Sequence, residues 1–148
     1  MDGRDWLGRW VEVEVEIPRG GRVKRRADGT VDYASPVGAP FNYGFLPGVP
    51  GGDGDELDAI LLGPRRATGA RHDARVVGVV RFRDRGAVDD KLVCSDQPLR
   101  PEDRWLITAF FRLLTPVRRV LHLVRGQPGG TALLGIVWWD GAAVEDEA

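Results

Sequence analysis

From Trp10 to Ile17, valines and Ile17 alternate with Glu12, Glu14 and Glu16, the two-residue period of a strand with one buried face. The glutamates share the other face, solvated along much of its length, so at least two of them need no chemical role. Pro18-Arg19-Gly20-Gly21 ends this strand, and Val23 to Arg26 begins a return strand. Asp28-Gly29 is a hairpin signal, followed by a short strand from Thr30 to Tyr33. Leu57 to Leu62 and Arg75 to Phe82 read as central strands, and Lys91 to Cys94 as a shorter one. A helix opens at Pro101-Glu102-Asp103, continues through Leu106, Ile107, Phe110, Phe111 and Leu114 at helical spacing, and is expected to stop at Pro116. Arg119 to Val124 is expected to form a last strand, and Thr131 to Trp139 suits either helix or strand. Between Pro36 and Gly54 stand four prolines and six glycines, with Phe41, Tyr43 and Phe45 among them. That segment is expected to be an ordered, aromatic-packed loop. Short strands followed by a helix predict an α+β fold, a small closed β-barrel with helical cover, forming one domain over residues 1–148.

Composition narrows the setting. A chain of 148 residues fits a single domain that buries roughly two-thirds of its unfolded surface. A net charge of −1 and a sequence pI near 6.1 argue against a general nucleic-acid binder, which carries a strongly basic face. The single cysteine, Cys94, allows no internal disulfide and lies in an apolar run, as a small buried hydrophobe does. Neither a secretory signal layout nor a run of membrane-spanning length is expected, so the reading is a cytoplasmic protein with no membrane partner.

The candidate chemistry sits in two acidic turns. Asp53-Gly54-Asp55-Glu56-Leu57-Asp58 packs three aspartates and a glutamate into six residues after a glycine-rich turn. Carboxylates this close repel unless a cation sits between them, and their oxygens suit hard ions such as Mg²⁺, or Mn²⁺ in its place. Asp84-Arg85-Gly86-Ala87-Val88-Asp89-Asp90-Lys91 repeats the theme with a lysine close behind. Two acidic turns at strand ends, with Glu16 inside a strand and Lys24 beyond it, make a plausible inventory for metal ions and cations that hold a highly anionic substrate. Other chemistries are poorly served: His72 and His122 have no partner at metal-ligand spacing, Gly51-Gly52-Asp53-Gly54 lacks the Lys-Ser/Thr of a P-loop, and Trp138-Trp139 read as core or interface aromatics.

The order Val15-Glu16-Ile17-Pro18, Arg22-Val23-Lys24, Pro40-Phe41-Asn42-Tyr43-Gly44-Phe45-Leu46-Pro47, the acidic hexapeptide, Val77-Gly78-Val79, Asp84 to Lys91 and Ala109-Phe110-Phe111 resembles the soluble family I inorganic pyrophosphatases over about residues 11 to 114. The resemblance implies an OB-like five-stranded closed β-barrel with flanking helices, and hydrolysis of pyrophosphate by a metal-activated water. It implies that Asp53, Asp58 and Asp89 hold an activating Mg²⁺, that Asp84 and Asp89 hold the metal arriving with substrate, and that Glu16 acts through waters. Asp55 matches the general base, Lys24 a phosphate contact, Lys91 a second cation of the site, and Tyr43 a hydroxyl donor. A homo-oligomer is expected, although Ala109 and Leu113 stand where some relatives carry histidines.

The phosphate side departs from the family pattern. Lys24-Arg25-Arg26 replaces the usual Lys-Tyr-Glu, which places a cation, Arg26, where a glutamate is expected and makes it a candidate substrate contact. The expected phosphate-binding arginine either appears as Tyr33 or is lost in a shorter loop before Pro40, Ala39 replaces a tyrosine, and Leu114-Thr115 replaces a Tyr-Lys pair. Each lost cation–phosphate bond costs about 1.5–3 kcal/mol, one or two decades of rate or affinity. Besides pyrophosphate hydrolysis, two readings therefore stand: a phosphoanhydride hydrolase with another substrate, and a catalytically weak metal- or phosphate-binding regulatory protein.

Overall fold

The computed structural model describes residues 2–21, 23–25, 31–34, 38–52, 54–84, 87–124 and 132–141 and, within these, every side chain except those of 23–25, 31–34, 84, 87, 114–124 and 132. After a short 3₁₀ turn at Gly3–Trp6, the strands are β1 (Trp10–Ile17), β2 (Val23–Arg25), β3 (Val31–Ala34), β4 (Asn42–Pro50), β5 (Glu56–Leu61), β6 (Arg71–Asp84), β7 (Ala87–Val88) and β8 (Lys91–Ser95). The helix α1 (Pro101–Val124) and strand β9 (Ala132–Trp138) follow.

Strands β1, β4, β5, β8 and β6 pair in that order, and β6 pairs back onto β1, which closes a five-stranded barrel. Every barrel pair is antiparallel except β5 with β8. β7 and β9 add to the far half of β6, and β2 with β3 forms a separate hairpin. This is the expected closed barrel, covered by one helix among the described residues rather than by several.

The pleat gives the wall two apolar faces. Val13, Val15, Leu57, Ala59, Leu61, Ala74, Val76, Val79, Leu92 and Cys94 fill the interior, and Trp6 and Leu7 of the 3₁₀ turn pack against them. The alternate positions, including Ile60, Leu62, Val80, Phe82 and Val93, face outward and are covered by Ile107 and Phe111 of α1. Phe110 meets Phe41 edge-on at 4.9 Å, and Phe111 meets Phe82 at 6.1 Å. Cys94 is fully buried, as its apolar setting predicted.

Three local expectations are corrected. The proline- and glycine-rich segment contains a nine-residue strand, β4. It is accommodated by a register shift between Phe45 and Pro50, by Gly48 at φ +74°, and by Gly44, where a Cβ would overlap the Glu14 carbonyl oxygen. The helix does not stop at Pro116, and 119–124 belongs to it rather than to a strand. Val117, Val120, Leu121 and Val124 continue its apolar spacing, which outweighs one missing N–H bond. Val23–Arg25 pairs with β3 instead of returning along β1. The open choice at 131–139 resolves as strand β9.

Candidate active site

The parallel β5–β8 ladder sets Ala59 opposite Leu92, so Asp58 and Lys91, one step earlier on each strand, share the outward face. Across β4, Phe45 lies opposite Asp58 and Tyr43 opposite Ile60, which brings the Tyr43 hydroxyl to the same place. Asp89 precedes β8, its N–H donating to the Phe82 carbonyl at 2.8 Å. The outcome is a single hub. Lys91 Nζ donates to Asp58 Oδ2 at 2.9 Å, to Asp89 Oδ2 at 3.0 Å and to the Tyr43 hydroxyl at 2.9 Å. Only 4% of Lys91 is exposed, and its ammonium has three donors for those three acceptors.

Burial and charge compete in this cluster. Burial alone would raise the Asp58 carboxyl, but the charge and hydrogen bond of Lys91 hold it below the ordinary carboxylate range. Asp89 goes the other way: burial, reinforced by the negative charge of Asp58 against the pull of Lys91, pushes it up to about 6. Burial also works to lower Lys91, yet Tyr43, Asp58 and Asp89 raise it above the lysine range, while burial raises the Tyr43 phenol. Two carboxylates therefore share one ammonium, and the second is incompletely neutralised. Oxygen donors with a deficit of positive charge suit a hard divalent cation.

Between Val15 opposite Gly44 and Ile17 opposite Tyr43, Glu16 is the extra residue of a bulge and is half-buried. Bulges re-aim side chains next to active sites. Glu12 and Glu14, in contrast, are held on the surface by Arg71 at 3.2 and 3.0 Å. Asp55 is exposed in the β4–β5 turn, where its carbonyl accepts from the Gly51 N–H at 2.7 Å. Gly52 lies so close over β7 that a Cβ there would stand 2.6 Å from the Val88 carbonyl oxygen. The two acidic turns thus meet, Gly52 against the residue that precedes Asp89. Arg26 and Asp53, and the side chains of Lys24 and Asp84, lie outside the described residues. Among the described residues no three His, Cys, Asp or Glu side chains gather at metal-binding distance. Asp58 and Asp89 are the described carboxylates that fit such a cation.

His72 hydrogen-bonds Asp96 at 2.8 Å and lies 3.3 Å from Arg66 Nη2, a polar cluster joining a loop, β6 and the turn after β8. The Arg75 guanidinium lies 5.3 Å from the ring of Trp10 and 4.7 Å from that of Trp139, and Arg104 lies over Trp138. Two arrangements escaped the sequence reading. Buried Asn42 accepts from the N–H groups of Arg19 and Arg66 and donates to the carbonyls of Leu61 and Pro64, tying β4 to two loops. Asp90, inside the Asp84 to Lys91 block, is 7% exposed and ion-pairs with Arg81. Its place between two site residues was the available signal.

A family model described as inorganic pyrophosphatase matches residues 13–105. Among relatives, the inorganic pyrophosphatase of Neisseria meningitidis serogroup A is 42% identical over 92 residues, which cover 57% of this chain and 52% of the relative. That of Haemophilus influenzae is 41% identical over 92 residues, with the same coverage. The chain spans about half the length of these curated relatives. Among solved structures, an inorganic pyrophosphatase from Neisseria gonorrhoeae superposes with a TM-score of 0.66 at 29% identity, covering 94% of this chain and 86% of that one. One from Coxiella burnetii shares the fold with a TM-score of 0.70 at 24% identity, covering 90% and 89%.

Proposed function

The chain belongs to the inorganic pyrophosphatase family, and from that premise we propose that it hydrolyses pyrophosphate to two phosphates with Mg²⁺, or Mn²⁺ in its place. The observation that carries the reading is the Lys91 hub, which gathers Asp58, Asp89 and Tyr43 on the outer wall of the barrel. Bound by Asp58 and Asp89, with Asp53 and Asp84 from the two acidic turns, the metal would supply the charge that makes a water nucleophilic near neutral pH. Lys91 orients both carboxylates and lowers the repulsion between them. Tyr43 accepts from Lys91 and keeps its own proton, because burial raises the phenol, so it serves as a hydrogen-bond donor toward phosphate oxygen. Asp55, an exposed carboxylate of the β4–β5 turn that matches the family's general base, would take the proton of the attacking water. Glu16 acts from its bulge through ordered water, while Lys24 and Arg26 bring positive charge to the phosphates.

The cation at Arg26 and the small Ala39, half-buried beside the outer apolar cluster, favour a second reading, a bulkier phosphoanhydride as substrate. No described helix is long and apolar enough to cross a membrane. We place the protein in the cytoplasm as a one-domain homo-oligomer without nucleic-acid or membrane partners. Trp105 and Leu113, 72% and 65% exposed on α1, are apolar surface consistent with self-association. The test is phosphate release from pyrophosphate with Mg²⁺, beside Asp55→Asn and a panel of nucleoside di- and triphosphates. Release that disappears in Asp55→Asn supports hydrolysis of pyrophosphate; turnover of another panel member alone moves the proposal to that substrate, and silence throughout refutes it in favour of a binding role.

A further inference from the structure

We propose that Asp90 is a positioning residue: anchored at the mouth of the barrel by Arg81 and covered by the N-terminal turn, it sets the peptide from which Asp89 and Lys91 reach the site. The inference rests on the proposed reading of Asp58, Asp89 and Lys91 as that site. Asp89 and Asp90 lead from β7 into Lys91, the first residue of β8. Lys91 points outward to Asp58, Asp89 and Tyr43, whereas Asp90 turns toward the interior. A Cβ added to Gly3 would stand 2.6 Å from Asp90 Oδ2 and 2.9 Å from Val79, an interior residue. The absence of a side chain at Gly3 thus lets the 3₁₀ turn close over the carboxylate.

Arg81 completes the anchor. Its Nε lies 3.6 Å from Asp90 Oδ1 and its Nη1 lies 3.2 Å from Asp2 Oδ1. Asp2 in turn caps the 3₁₀ turn by accepting from the Arg4 N–H at 2.9 Å, while its own N–H donates to Asp5 Oδ2 at 2.9 Å. Asp90 Oδ1 is buried with no hydrogen-bond partner. A charge pair at that separation, with Arg81 partly exposed and one oxygen of the buried Asp90 orphaned, is a poor source of stability, since apolar residues of similar size commonly replace such pairs without loss. Its use is directional: the charge pair fixes which way the peptide is turned, and with it the two site residues on either side.

Stability and positioning are separated by the double variant Arg81→Met/Asp90→Leu, with Asp90→Asn as a smaller change that preserves volume. Lys91 protection is read by acetylation and peptide mapping, Lys24 being the only other lysine. Binding of Mn²⁺ alone is read as the half-saturating concentration, and kcat and KM follow for whichever substrate wild type turns over. Positioning requires the double variant to melt near wild type while Lys91 acetylates about tenfold faster and half-saturation by Mn²⁺ rises about tenfold. Both readouts unchanged in the folded double variant and in Asp90→Asn would overturn it. Should the double variant fail to fold, the same two readouts in Asp90→Asn decide. If wild type releases no phosphate, the functional reading fails alone, because acetylation of Lys91 still judges Asp90.

Discussion

Replacing Lys91 by methionine keeps the apolar stem and removes the ammonium that three acceptors share. Its consequence follows from burial. The side chains of Lys91, Asp89 and Asp58 are 5%, 13% and 21% exposed, so solvent cannot take over the lost charge. Removing one partner of a buried ion pair costs about 3–5 kcal/mol, and the partly exposed Asp58 places this case near 3 kcal/mol. For a chain of this length each kcal/mol moves Tm by about 2–4 °C, so Lys91→Met is expected to melt about 6–12 °C below wild type without metal. Mg²⁺ should then raise the Tm of the variant more than that of wild type, because two carboxylates without an ammonium gain more from a divalent cation. Adding Asp89→Asn should recover part of the loss by removing like-charge repulsion. Calorimetry of the three proteins with and without Mg²⁺ checks the chain of reasoning. A loss below about 2 °C, or an equal response of variant and wild type to Mg²⁺, would refute it.

Three other perturbations test separate parts of the structure. Because the folded Asp89 carboxyl is raised to about 6, the metal-free fold takes up a proton there; the stability this brings is full below the ordinary carboxylate range and is lost as pH rises through about 6. The Tm difference between wild type and Asp89→Asn should change across that window, and parallel curves from pH 4 to 8 would contradict it. Gly52→Ala forces a Cβ against the Val88 carbonyl and should weaken Mn²⁺ binding about tenfold by separating the two acidic turns, with wild-type affinity as the opposing result. Asn42→Leu leaves two N–H groups and two carbonyls without their partner, and chemical denaturation should report a loss of about 2–4 kcal/mol.

The glutamate alternation announced β1 because a strand with one wet face repeats every two residues. The apolar runs announced β5, β6 and β8 for the related reason that barrel walls are buried. β4 was hidden, since Pro47, Gly48 and Pro50 carry the local signature of a turn, and the strand runs across them by pairing on β5, Pro50 opposite Glu56. The continuation of α1 past Pro116 was hidden likewise by a local stop signal that apolar spacing overrode. Clustered carboxylates and a lysine were visible as candidates because their chemistry is in the side chains themselves. The hub joining Tyr43, Asp58 and Lys91 was not visible in composition, because its geometry comes from the parallel register of β5 on β8. Asp90 looked like one more acidic residue, and only the burial beneath Gly3 separates it from Asp89.

That parallel register also governs the order in which the molecule assembles. An antiparallel hairpin forms as soon as its two arms exist, whereas β5 and β8 need the whole of β6 laid down between them before they align. The hub contacts lie 33 residues apart for Asp58 with Lys91 and 48 for Tyr43 with Lys91, separations that favour slow closure. During synthesis the acidic hexapeptide leaves the ribosome well before Lys91, and nascent chains ending before β8 carry these carboxylates without the Lys91 ammonium that gathers them. The site is therefore complete only once β8 has been made and has paired with β5.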